Sequence, residues 1–397
     1  MLLELEREQV TRDVYHYSFL LKVGETPNAH LRIHRVIREQ APGRPRPTVT
    51  TAMLLHGDFS TFTSNFVPSL AGTATPKPPG LAVYLAERGV DVWGFDRRWT
   101  TAPAGQAGLS DFANMGFASA MDDIERALQF AMRGPGRSGQ GSKGVILVGF
   151  SRGAQLAYAY AAEESQRPAG RRYIQGLVPI DIYGKTAPED EALRQAACNR
   201  RDEERAQLAA GLYDSDNSFF IDMGTFARAA PSAPSPIFPG LTNRGAMVAL
   251  TAQTFLFYAP TPHYHMAASV LEEDGATALR YSPEPVVADW LASAPPHQAL
   301  AELADGDALW CGQEPLPLAA PLDRISVPLF YLGAAGGFGS AGLYTTTLVR
   351  STDVTTHVVR RLEAGREAED FGHADLLYAL DAPALAWQPL TEWMLRH

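Results

Sequence analysis

One serine stands between two glycines in Gly149-Phe150-Ser151-Arg152-Gly153, with the apolar run "GVILVGF" leading in and the alanine-rich "AQLAYAYAAEE" leading out. A nucleophilic serine needs this setting. It must sit on a strained strand-to-helix turn that pushes Oγ into a cleft, and side chains two positions away on either side would collide, so both are glycine. The helix that follows aims its N-terminal N–H groups at the point where an oxyanion develops. The competing reading is a glycine-flanked turn with a serine N-cap. A buried strand before Ser151 and a helix after it favour the nucleophile.

A serine nucleophile needs a base and oxyanion donors. "LLHGDF", residues 54–59, reads as a strand ending in His-Gly, which brings a backbone N–H near the serine turn. The N–H of Asp58 is the first expected donor and that of Arg152 the second, and their side chains are placed to form an ion pair at the cleft floor. His56 reads as a residue that shapes this loop rather than as the base. The base is expected late in the chain, on the loop "EDFGHADLLYA", where His373 follows the last strand and precedes a helix. His263 and His265 in "TPHYHM" are spaced like a metal pair, but no carboxylate or cysteine stands at ligand spacing beside them, so a satisfied or pocket-lining role is expected and no metal or cofactor.

These residues need a scaffold, and the surrounding pattern supplies one. "RDVYHYSFLLKV" and "HLRIHRVIRE" read as two strands. "TVTTAMLLHGDF", "VDVWGFD", "GVILVGF" and "YIQGLVPIDIYG" read as strands separated by the helical runs "PPGLAVYLAERG", "FASAMDDIERALQFAMR" and the helix after Ser151. "GPGRSGQGSK" reads as a flexible loop. The acids near the start of "FASAMDDIERALQFAMR" suit the helix dipole. Such alternation argues for an α/β fold: a mostly parallel central sheet with helices on both faces. It stops near Gly184. Residues 185–320 are rich in Ala and Pro, with short helical patches and no clear strands. Strand pattern resumes at "ISVPLFYLGAA" and "VTTHVVRRLEA", and "PALAWQPLTEWMLRH" reads as a closing helix. The expected organisation is a core in two parts, 1–184 and 321–397, with 185–320 inserted as a helical cap over the C-terminal edge of the sheet.

The bulk numbers narrow the function classes. The chain has 397 residues, is 46% hydrophobic and carries a net charge of −10. It can bury a large core, and no basic surplus exists to neutralise nucleic-acid phosphates. The basic clusters "FDRRW" and "CNRRDEER" are interleaved with acids and read as solvated or ion-paired faces. No apolar run reaches the ~20 residues that span a bilayer. The N-terminal stretch lacks a signal-peptide apolar region, so a cytoplasmic protein is expected, although a chain trimmed of its leader would read the same. The two cysteines, Cys198 and Cys311, exclude a disulfide framework and a cysteine zinc site. They read as separate thiols, with a single bridge left open.

Together "LLHGDF", "GLAVYLAERGVDVWGFDRR", "LSDFANMGFASAMDDIERAL", "LVGFSRGAQ" and "FGHADLL" resemble, in order and spacing, the α/β-hydrolase superfamily, and within it the acid lipases of the gastric and lysosomal type. The resemblance covers most of residues 50–165 and the last 70 or so. It implies a cap between the sixth and seventh strands and cleavage of acyl esters by a Ser-His-Asp triad without a metal. Ser151 matches that nucleophile, His373 the base, and Asp58 and Arg152 the oxyanion residues. One element departs from it. That family carries its acid after the seventh strand, and here no Asp or Glu lies between Asp323 and Asp353. Pancreatic-type lipases of the same fold carry the acid after the sixth strand, a place filled here by Asp181 in "GLVPID". Asp181 is therefore the expected acid, with a structural carboxylate as the bland alternative and Glu369 and Asp370 as weaker candidates beside His373.

The expected function is a serine hydrolase acting on a carboxylic ester, thioester or lactone. The apolar "TFLFYAPTPHYHM" and "FFIDMGTF" suggest a medium to large hydrophobic acyl or alcohol group. An acyltransferase or macrocyclase using the same acyl-enzyme, and a non-catalytic binding protein on a hydrolase scaffold, are the alternatives. An added acyl acceptor would separate the first, and labelling of Ser151 by a fluorophosphonate the second.

Overall fold

The computed structural model describes all residues except 78, 107, 134–143, 254–260, 262, 274 and 314–320. Nine strands form the main sheet: β1 (Leu2–Gln9), β2 (Val14–Lys22), β3 (His30–Ala41), β4 (Thr50–Leu55), β5 (Val90–Asp96), β6 (Val145–Phe150), β7 (Ile174–Ile180), β8 (Leu329–Ala334) and β9 (Val354–Val359). Their spatial order is β1-β2-β3-β5-β4-β6-β7-β8-β9, and a two-residue strand, Arg44–Pro45, pairs with β3 at the side. β1 to β3 are antiparallel, β3 meets β5 antiparallel, and every pair from β5 to β9 is parallel.

Burial on both faces explains the apolar runs. In β4, Ala52 and Leu54 enter one core cluster while Met53 and Leu55 enter the other; in β6, Ile146 and Val148 part from Val145 and Leu147 in the same way. Helices α1 (Leu81–Glu87) and, near the C-terminus, α10 (Gln388–Met394) pack on the first face. Helices α2 (Phe117–Arg133) and α3 (Arg152–Glu164) pack on the second. Parallel strands covered on both sides have no solvent face, so they read as continuous rather than alternating hydrophobic segments.

Between β7 and β8 the chain leaves the sheet and forms α4 (Glu191–Ala209), α5 (Ser218–Ala229), α6 (Asn243–Ala252), α7 (Glu284–Ala292) and α8 (Leu300–Cys311); α9 (Gly339–Thr347) follows β8. This segment meets the loops that leave the C-terminal ends of the parallel strands. Trp290 bonds Ser60 after β4, Glu302 pairs with Arg97 after β5, and His265 bonds Gly336 after β8.

Several expectations are corrected. β1 was not legible, because all eight of its residues are exposed; main-chain bonds to β2 and side-chain contacts such as Arg7 with Glu39 hold it. Residues 185–320 do contain strands, Asp214–Asp216 paired with His297–Ala299 and Ser269–Glu272 paired with Gly275–Leu279. At three to five residues each, they are too short for an alternation to register. The acids of α2 lie beyond its first turn. Asp123 is buried and takes two bonds from Arg98, each 2.6 Å, while the helix N-terminus is held from the insertion by Asp305, which accepts from the Phe117 N–H at 2.8 Å. Cys198 and Cys311 are joined in a disulfide that ties α4 to α8. The loop read in 134–143 and most of "TFLFYAPTPHYHM" lie outside the described residues.

Candidate active site

Ser151 follows β6 with φ 54° and ψ −129°, a left-handed backbone that an L-residue occupies only under constraint. The constraint comes from the neighbouring glycines. A Cβ on Gly149 would lie 2.3 Å from the Gly153 carbonyl oxygen, and one on Gly153 would lie 2.3 Å from that of Leu55. The turn is therefore closed against its own helix and against the end of β4. Gly57 completes the approach: a Cβ there would come within 3.1 Å of Ser151 Cβ.

His373 lies on the loop after β9 and is buried, as is Asp181. Its Nδ1–H donates to Asp181 Oδ2 at 2.7 Å across 192 residues of chain. Asp181 follows β7 with φ 48°. Its carboxylate also accepts from the N–H groups of Ala334, the last residue of β8, at 2.8 Å and of Phe338, just after it, at 3.1 Å. A Cβ on Gly337 would fall 2.0 Å from Oδ2, so the glycine-rich "GAAGGFG" that lacks an acid is the cradle for this one. Phe150 stacks on the imidazole at 4.6 Å, with Tyr264 and Phe338 each at 5.6 Å. Backbone bonds from His373 N–H to the His265 carbonyl (3.0 Å) and from Ala374 N–H to that of Met266 (2.7 Å) hold the loop.

Glu369 and Asp370 turn away. Glu369 pairs with Arg280 and Arg366, and Asp370 accepts backbone N–H groups of Arg361, Leu362 and Phe371. His265 presents both ring nitrogens to carbonyls, those of His263 and Asp370, each at 2.8 Å. His56 is buried, faces the Gly57 carbonyl with Nδ1 (2.8 Å) and accepts from the Arg97 N–H with Nε2 (3.2 Å). Burial, with the Arg97 cation beside it, pushes His56 down to about 3, so it stays neutral in its loop.

On the opposite side, Asp58 forms the ion pair read from the sequence, Arg152 Nε donating to Oδ2 at 3.2 Å. The Asp58 N–H has no acceptor among the described residues. The neighbouring Phe59 N–H donates to Gln298 Oε1 at 2.9 Å, and Gln298 Nε2 donates to Asp58 Oδ1 at 2.7 Å. This buried glutamine, on the short strand His297–Ala299, clamps the Asp58-Phe59 loop from the insertion. Sequence reasoning missed it, as it missed Asp375. Asp375 accepts from the N–H groups of Ala268 and Gly372 (2.8 Å each) and from the Ser282 hydroxyl (2.5 Å). Its place inside "FGHADLL" was the available signal, while Gln298 had none. Ser151 and His373 line one cavity of about 50 Å³ together with Gly57, Asp58, Phe59 and Trp290.

Sheet order, two-sided helix packing and a strained serine turn after β6 define the class: the chain has the α/β-hydrolase fold. Among solved structures it is similar to a candidate lipase from Sulfolobus solfataricus, at 18% identity over 99% of both chains and a TM-score of 0.67. A soluble variant of monoglyceride lipase from Saccharomyces cerevisiae matches at 10% identity over 99% of this chain and 95% of that one, with a TM-score of 0.45. No protein-family model and no curated protein sequence matches the chain. The narrower likeness to acid lipases finds no support in these comparisons.

Proposed function

We propose that the protein is a serine hydrolase that cleaves a carboxylic ester through an acyl-enzyme. The observation that carries this reading is the 2.7 Å bond from His373 Nδ1–H to Asp181, with Ser151 on its strained turn facing the same cavity. In this reading Ser151 Oγ attacks the ester carbonyl, and His373 Nε2 takes its proton and passes it to the leaving alcohol. Asp181 holds the ring in the tautomer that leaves Nε2 unprotonated and stabilises the imidazolium while it exists. The N–H groups of Asp58 and Arg152 receive the oxyanion. Water, activated by the same imidazole, then releases the acid. Residues 185–320 act as a cap, and Phe220 from α5, stacked on Phe59 at 4.4 Å, supports the apolar character expected of it.

The test pairs activated esters with a fluorophosphonate probe read by mass spectrometry. Esterase turnover and a single adduct on Ser151 are expected. Ser151→Ala should lose both, with turnover down on the order of 10⁶, and keep the wild-type circular dichroism spectrum. Turnover close to wild type in the folded variant would make Ser151 a structural residue.

A further inference from the structure

We propose that Trp290 sets the acyl length of this site, closing the wall of the Ser151 cavity so that the acid half of the ester is a short chain of roughly two to four carbons. The proposal rests on the serine-hydrolase reading and deepens it. The cavity holds about 50 Å³, whereas pockets that enclose drug-sized ligands run from roughly 300 to 1,000 Å³. Among the described residues its apolar wall is Phe59, Phe150, Tyr264, Met266 and Trp290. Phe150 and Tyr264 are already committed to the imidazole. Trp290 is the largest of the rest, and it comes from the insertion.

The wall is braced. Trp290 is 3% exposed, and its Nε1–H donates to Ser60 Oγ at 3.0 Å. Its ring lies 5.5 Å from Phe59 and 5.4 Å from Tyr378. The Tyr378 hydroxyl donates to the Ser64 carbonyl at 2.8 Å and accepts from Asn65 Nδ2 at 3.1 Å, and Asn65 Oδ1 accepts the Gly57 N–H at 2.9 Å. The indole is thus locked to the same loop that carries Asp58. Swinging it out would strand a buried donor and uncover apolar surface. The neighbours of Trp290 on α7, Val286, Val287 and Leu291, are also buried in the core, so the helix has other anchors when the indole is removed.

The experiment is a p-nitrophenyl ester series from acetate to dodecanoate on wild type, Trp290→Ala, Trp290→Leu and Trp290→Phe, with fluorophosphonate labelling of Ser151 in parallel. Wild-type kcat/KM is expected to fall at least about tenfold from butyrate to octanoate. Trp290→Ala, or Trp290→Leu where the alanine variant does not fold, should raise octanoate kcat/KM by a similar factor and lower that on acetate. Trp290→Phe, which keeps a smaller aromatic wall and loses the hydrogen bond, should raise octanoate kcat/KM less than Trp290→Leu does. Wild type cleaving octanoate as fast as butyrate, or a folded Trp290→Ala with an unchanged profile, overturns the proposal while leaving the hydrolase reading intact. No cleavage at any length together with no labelling of Ser151 overturns both.

Discussion

The sheet core and the inserted segment build the cavity in different ways. From the core come the proposed triad residues: Ser151 after β6, Asp181 after β7 and His373 after β9, each on a loop stitched by backbone hydrogen bonds to neighbouring strand ends. From the insertion come the side chains that hold and shape: Gln298 on the Asp58-Phe59 loop, Trp290 at the wall, Glu302 on Arg97. Strand ends in a packed sheet are rigid because many parallel hydrogen bonds fix them together, so they suit groups that must meet within a fraction of an ångström. A segment of short helices and ribbons suits the parts that set substrate shape. Variants in the core should therefore cost more turnover than variants in the insertion.

The largest difference is expected at Asp181. Asp181→Asn can donate where the carboxylate only accepts, which favours the wrong histidine tautomer, and turnover should fall by up to about 10⁴ with the fold retained. Glu369→Gln and Asp370→Asn, whose side chains serve Arg280, Arg366 and three backbone N–H groups, should each cost far less. Steady-state kinetics of the three variants decide it. Near-wild-type turnover in Asp181→Asn beside a dead Glu369→Gln or Asp370→Asn would move the acid to the histidine loop.

Gln298 comes next. Gln298→Leu leaves the Phe59 N–H without its acceptor and Asp58 without one donor, and the loop should lose its register against Ser151. We expect kcat to fall by roughly 10- to 100-fold with KM changed less, since the loss falls on the oxyanion. Gln298→Glu restores the acceptor for Phe59 but sets a second carboxylate against Asp58, and it should not recover full turnover. A rise in KM alone would assign Gln298 to substrate binding.

The disulfide tests whether the insertion's helices need a covalent tie. Cys198 and Cys311 are 113 residues apart. Cutting the link should lower stability by about 2–4 kcal/mol while touching turnover less than Gln298→Leu does. Thermal melts of wild type and Cys198→Ser/Cys311→Ser, with and without reductant, measure this. A melting temperature indifferent to reductant, with both thiols alkylatable in the folded protein, would remove the tie.

A pH slope comes from two buried histidines of the core. Burial, with a neighbouring His34, lowers His16 from 6.5 to about 3, and burial beside Arg97 does the same to His56. Each histidine is neutral when folded and takes up a proton on unfolding below its ordinary pKa. The stability it contributes is thus present above pH 6.5 and is lost as pH falls towards 3. Each adds a slope of about 1.4 kcal/mol per pH unit in that window. His16→Gln should remove one such increment from urea unfolding between about pH 4 and pH 6. An unchanged slope would mean that His16 is charged in the folded state.

Much of the core was legible because its signals are short-range. The helix 117–133 coincides with "FASAMDDIERALQFAMR", and the glycines around Ser151 announce a turn that only they permit. The candidate acid was reached through the resemblance, which offers a place after the sixth strand where the loop after the seventh holds no carboxylate, and that loop's glycines make room for Asp181. β1 escaped notice because it is an exposed edge strand whose short Leu-Glu alternation buries no face.

Local pattern in the sequence was enough for the strand-and-helix alternation and the serine turn, because backbone preference and burial period act over a few residues. Only the tertiary structure decided the contacts made across the fold: Asp181 to His373 over 192 residues, Gln298 to Asp58 over 240, Trp290 to Ser60 over 230 and Cys198 to Cys311 over 113. A lone glutamine, tryptophan or cysteine carries no periodic mark of its partner, so these pairings are set by how the packed sheet and insertion bring distant segments together.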